Sequence, residues 1–72
     1  MTAEELGSIL REARRDAGLT QQQLAAASGV GVRFLIELEA GKPTAQLGKA
    51  LSVLTMLGCY VRVDAPPKIT AW

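Results

Sequence analysis

The stretch Thr20–Lys42, TQQQLAAASGVGVRFLIELEAGK, leaves this chain the least freedom. Thr20 and Gln23, three residues apart, form a capping box, in which the hydroxyl accepts from the N3 backbone N–H and the amide reaches back to the cap's own N–H. Leu24 and Ala25 give the helix that follows an inward face, and Ala25, Ala26 and Ala27 keep it thin. Gly29 stands where a helix C-terminus takes a left-handed residue, and Val30 follows as an apolar plug. A second helix is predicted from about Val32 to Ala40, stopped by Gly41. Leu35 and Leu38 lie three apart on one of its faces, with Glu39 one residue further on. A thin helix, a glycine-containing turn and a second helix with a narrow apolar stripe make a helix-turn-helix.

The flanks read as two further helices. Thr2 and Glu5 form another capping box, opening a helix from Ala3 to about Ala17 that Gly18 ends. Leu6, Ile9, Leu10, Ala13 and Ala17 recur at helical spacing and are expected to face inward. After a turn at Gly41-Lys42-Pro43-Thr44, Thr44 is expected to cap a fourth helix running to about Leu57, with Gly58 as its C-cap. Leu47, Leu51, Leu54 and Leu57 form its expected core stripe, widened by Ala50 and Val53. The period then changes to two: Cys59, Val61 and Val63 alternate with Tyr60 and Arg62, which predicts a strand ended by Pro66-Pro67. A lone strand leaves its backbone groups unpaired. The economical solution is pairing with its own copy in a second subunit, antiparallel about a two-fold axis. The competing reading is an extended tail lying on the fourth helix. Cys59 reads as a small buried hydrophobe at the strand's start, and the terminal Trp72 as either a disordered end or an anchor for another surface.

The string G-L-T-Q-x-x-L-A, six intervening residues, then V-R-F-L-I-E-L-E-x-G-K resembles the Cro and lambda-repressor-like (Xre-type) DNA-binding family over about residues 5–58. The resemblance implies that the second motif helix enters the DNA major groove. It also implies that Arg14 pairs with Glu39, against the alternative that Arg14 is one of three solvated arginines. The expected fold is mainly α: a four-helix lambda-repressor-like domain over residues 1–58, a dimerisation strand at 59–64 comprising Cys59, Tyr60, Val61, Arg62 and Val63, and a short tail at 65–72.

Helical geometry turns Leu35 and Leu38 to the core and sets Gly31, Val32, Arg33 and Glu37 outward near the N-terminal end, the end that reads bases in helix-turn-helix proteins. Arg33 is the best candidate reader, because a guanidinium matches O6 and N7 of guanine. Val32 suits a thymine methyl. Glu37 can accept from cytosine N4 or orient Arg33. The plainer alternative for Arg33 and Glu37 is an exposed i, i+4 ion pair. By the resemblance, Gln21 meets a phosphate, helped by Gln22, and Lys42 meets another, contacts that fix register and carry little sequence information. Gly31 departs from the Ser or Thr usual at this cap, and Ile36 from a small polar residue, so with Phe34 it is expected to leave apolar surface partly exposed.

Charge sets the limits of that reading. The net charge is +1, with no basic tail, so DNA binding must rest on a local face, on helix N-termini aimed at phosphates and on two subunits sharing the load. Nonspecific affinity is then weak, since it scales with the phosphates neutralised. The chain has no histidine, no phosphate-binding glycine loop and no metal-spaced ligand cluster, which excludes an enzyme reading and predicts no cofactor. No apolar run is long enough to span a bilayer, the acidic start MTAEELGS is unlike a signal peptide, and a single cysteine makes no internal disulfide. The expectation is a cytoplasmic protein without a membrane partner.

The run from Glu39 to Gly58, followed by an apolar strand and short tail, resembles HipB-like antitoxins over about residues 5–63. That resemblance implies a homodimer that represses its own operon from a palindromic operator and binds a HipA-like serine/threonine kinase toxin. Two rivals stand beside it: a phage-type or restriction-controller repressor without a toxin, and an interaction module that has lost DNA binding.

Overall fold

The computed structural model describes residues 1–67; the last part of the expected tail, Trp72 included, lies outside the described residues. Four helices follow in order, α1 (Ala3–Asp16), α2 (Gln21–Ser28), α3 (Val32–Glu39) and α4 (Leu47–Met56). Both expected capping boxes form: Thr2 and Glu5 open α1, and Thr20 and Gln23 open α2. Each helix ends on a glycine with positive φ, at Gly18, Gly29, Gly41 and Gly58. Behind each glycine the next backbone N–H reaches back to the last turn, as Val30 does to Ala25 (3.0 Å) and Lys42 to Glu37 (3.1 Å), a Schellman closure.

All four helices supply the core. Leu10 of α1, Leu24 and Ala25 of α2, Leu35 and Leu38 of α3, and Ala50, Val53 and Leu54 of α4 are buried, while Leu19, Val30, Phe34 and Cys59 pack around them. Helix α3 lies against both α1 and α2, and α2 also lies against α4.

Packing corrects the two outer stripes. In α1, Ile9 is 44% exposed and Ala17 is exposed, whereas Gly7 is buried. A Cβ on Gly7 would stand 2.6 Å from the carbonyl oxygen of Glu39 and 2.7 Å from that of Leu38. The backbone of α1 thus rests on the end of α3, while Ile9 stays out. In α4 the inward face is Ala50, Val53 and Leu54, while Leu47 (70%) and Leu51 (40%) lie in the open.

Thr44 does not cap α4. Pro43 and Thr44 occupy a turn that the Ala45 N–H closes on the Lys42 carbonyl at 3.4 Å. With Pro43 at the second position of that turn, Thr44 stands inside it, and α4 begins three residues later behind Gln46, without a side-chain cap.

The expected strand at Cys59–Val63 is not formed in the single chain: no strand occurs among the described residues. A strand is held by its ladder, and the described residues offer this segment no partner. Nor does the segment lie on α4 as a tail. Cys59 alone meets the core margin, and residues 60–67 are exposed, Tyr60 and Val63 at 98% and 88%.

Candidate nucleic-acid interface

Helix α3 is fixed at its far end by a buried fork. Arg14 donates through Nε to Glu39 Oε2 (2.8 Å) and through Nη2 to Glu39 Oε1 (3.2 Å), while its Nη1 donates to the Leu19 carbonyl (2.8 Å). The side chains are only 11% and 4% exposed. Two parallel N–H···O bonds fix orientation as well as distance, so α1, the α1–α2 loop and α3 are locked together. The expected Arg14–Glu39 pair is therefore present.

Gln21 joins this cluster. Its Nε2 donates to Glu39 Oε1 at 3.1 Å, so one amide N–H of the expected phosphate contact is used within the protein. The second N–H of the amide is not part of that bond. Gln22 beside it is exposed.

The N-terminal end of α3 stands open. Gly31 is its N-cap in extended conformation, with no side-chain hydrogen bond to the helix. The first backbone N–H groups there have no intrahelical acceptor. Val32 (38%) and Ile36 (46%) are exposed, as is Arg33, which makes no ion pair among the described residues.

Glu37 does not pair with Arg33. It accepts from Lys42 Nζ at 3.0 Å. The left-handed Gly41 folds the chain back over the last turn of α3, where the Lys42 N–H bonds to the Glu37 carbonyl. The Lys42 hydrogen bond and charge hold the Glu37 carboxyl below the usual 4.5, with a lesser contribution from Arg33. This pairing leaves Arg33 alone and makes Glu37 and Lys42 one exposed unit.

A shallow groove runs along each flank of α3. One, of about 190 Å³, is lined by Phe34, Glu37, Lys42, Gln46 and Lys49, and the Lys49 ammonium sits 5.6 Å above the Phe34 ring. The other, of about 400 Å³, lies between α3 and α1, with Arg11, Arg14 and Arg15 on one side and Ile36 and Ala40 on the other. Lys49, Arg11 and Arg15 carry no signal in the helix-turn-helix string, because they lie outside it. The i, i+4 spacing of Arg11 and Arg15 puts them on one face of α1, but only packing sets that face beside α3. No cluster of three metal-ligating side chains occurs among the described residues, and none of their helices is long and apolar enough to cross a membrane.

Two comparisons agree with this geometry. The chain is 49% identical over 65 residues to a Sinorhizobium fredii (strain NBRC 101917 / NGR234) protein named "Uncharacterized HTH-type transcriptional regulator y4mF", an alignment spanning 90% of this chain and 86% of that protein. Residues 10–63 match the Helix-turn-helix family, HTH_3, and the chain belongs to that family, whose motif is a DNA-binding one.

Proposed function

We propose that this chain is a sequence-specific DNA-binding transcriptional repressor that works as a homodimer on a palindromic operator. The observation that carries this reading is Arg33: an exposed guanidinium without an ion pair among the described residues, at the open N-terminal end of a helix whose other end is clamped. A reader of base edges needs a free donor fork on a rigid support. Exposed Val32 beside it suits a thymine methyl, while Lys42 and Gln21–Gln22 stand where phosphate contacts set register.

A second copy accounts for the apolar surface left open. Leu47, Leu51 and Met56 of α4 and Tyr60, Val61 and Val63 beyond it are all at least 40% exposed. Pairing of residues 59–63 across a two-fold axis satisfies the backbone groups on the paired edge, and packing of the second copy on the open face of α4 covers that surface. Recognition helices related by the axis then meet successive major grooves, roughly 34 Å apart.

Within this reading the chain is the antitoxin of a type II toxin–antitoxin operon, binding and neutralising a HipA-like serine/threonine kinase. The support is the resemblance to HipB-like antitoxins over about residues 5–63, carried by the run from Glu39 to Gly58 and the segment that follows it. Co-purification of the tagged chain from its native operon, with bound protein and DNA identified, tests both levels. A kinase-sized partner together with upstream operon DNA is the expected result. A dimer with operon DNA and no partner removes the antitoxin and leaves the repressor. A protein partner without DNA removes the repressor.

A further inference from the structure

The groove between α1 and α3 is cationic in a way that the motif does not require. Of its charged side chains, Glu39 and Arg14 neutralise each other in the buried fork. Arg11 and Arg15 are exposed and make no ion pair among the described residues. Their acidic neighbours on α1, Glu12 and Asp16, each follow one residue later, about 100° further round the helix, and do not line the groove. Two uncompensated guanidiniums therefore face one hollow, on a chain whose total net charge is only +1.

The position of that hollow identifies what it meets. Its walls include Gln21, the first residue of α2, Ile36 of α3 and Ala40 just past the end of α3. The opposite flank of α3 carries Lys49 and Lys42, of which Lys42 is paired with Glu37 and Lys49 makes no ion pair among the described residues. A helix seated in a major groove about 12 Å wide has a sugar–phosphate strand on each side. Each cationic flank then faces one strand. Ile36 and Ala40 give the α1 side an uncharged floor that does not repel an anion, and a guanidinium fork matches a phosphate diester through two N–H donors.

We propose that Arg11 and Arg15 form a phosphate-gripping edge on α1, holding the DNA strand opposite the one met by Lys42 and Lys49. The edge rests on the DNA-binding reading above and extends the contact surface beyond the helix-turn-helix itself. It supplies affinity and register without sequence discrimination, and it explains how a nearly neutral chain neutralises enough phosphate to bind.

The test is fluorescence anisotropy of the full chain and of the Arg11→Gln/Arg15→Gln double variant, on operon-promoter and random duplexes, across a salt series. Each phosphate contact contributes about 0.9 to the slope of log K against log salt, and a dimer carries four of these arginines, so the double variant's slope is shallower by about 3.6. For the dimer, affinity falls roughly 4,000-fold at 0.1 M salt on both duplexes, and the difference closes near 1 M. Arg11→Lys/Arg15→Lys retains most of the slope. Both arginines are exposed and lack a side-chain hydrogen bond to the described residues, so the variants are expected to melt as the wild type does. An unchanged slope with wild-type DNA binding intact overturns the edge alone. A wild-type chain that binds no duplex removes the DNA reading and the edge with it.

Discussion

Gly7→Ala separates local preference from packing. In a helix interior, alanine is favoured over glycine by about 1 kcal/mol, so helix propensity alone predicts a more stable protein. The structure predicts the opposite. The added Cβ would meet the Glu39 carbonyl oxygen at 2.6 Å, its carbonyl carbon at 2.9 Å and the Leu38 oxygen at 2.7 Å. All three are backbone atoms of α3, so no side-chain rotation relieves the contact, and α1 must move away from α3. Overpacking of this kind costs about 1–3 kcal/mol. Displacement of rigid backbone puts this site at the upper end, for a net loss of about 2 kcal/mol after the propensity gain. In a domain of this size that lowers Tm by roughly 10 °C. Gly48→Ala is the matched control: Gly48 is also helical, but a Cβ there meets nothing within 4 Å, so a gain of about 0.5 kcal/mol is expected. Thermal and urea melts by circular dichroism read both variants. If Gly7→Ala melts at or above the wild type, the close approach of α1 to α3 is wrong.

Four further outcomes follow from the same contacts. Glu39→Ala leaves the part-buried Arg14 guanidinium with only the Leu19 carbonyl as partner and is expected to cost about 3 kcal/mol, the low end for a buried pair, whereas Arg14→Met/Glu39→Leu together lose much less; equal losses in chemical denaturation would argue against the pair. Gly31→Ser is expected to stabilise by roughly 0.5–1 kcal/mol, because φ at −71° suits any residue and the Cβ has open space; a lower Tm would contradict the open cap. For Glu37, a folded pKa below 4.5 means the Lys42 pair contributes stability above that value and loses it as pH falls through the lowered one. The wild type should therefore exceed Glu37→Gln by a constant margin at neutral pH, and the margin should vanish in acid; a margin that persists at pH 2 excludes the charge as its source. On DNA, Arg33→Ala should reduce operator discrimination by about 1–3 kcal/mol, while Lys42→Ala weakens operator and random DNA alike. Equal losses on both duplexes for Arg33→Ala would end its base-reading role.

The sequence alone determined what depends on a few neighbouring residues. Hydroxyl and amide three apart place the starts of α1 and α2, because both capping bonds close within one turn. Glycines place all four helix ends, because the left-handed closing residue penalises a Cβ. The Leu24, Ala25, Leu35 and Leu38 core follows from helical period and a fixed turn length. Relations between elements distant along the chain were decided only by the tertiary structure. Period three or four marks several residues of α1 and α4 as apolar, but which of them sink depends on where a second helix lies. Gly7 packs against the α3 carbonyls while Ile9 stays out, and α4, lying against α2, puts Ala50, Val53 and Leu54 into the core while Leu47 and Leu51 face solvent. The candidate site divides the same way. Arg33 was legible as an outward residue of α3, since that needs only helical geometry. Three assignments required the folded chain: Glu37 to Lys42, Gln21 to the Glu39 carboxylate, and Arg11 and Arg15 to a groove beside α3. Local hydrogen bonds are set by spacing within about one helical turn, but charge pairing and surface shape are set by distances that only packing fixes.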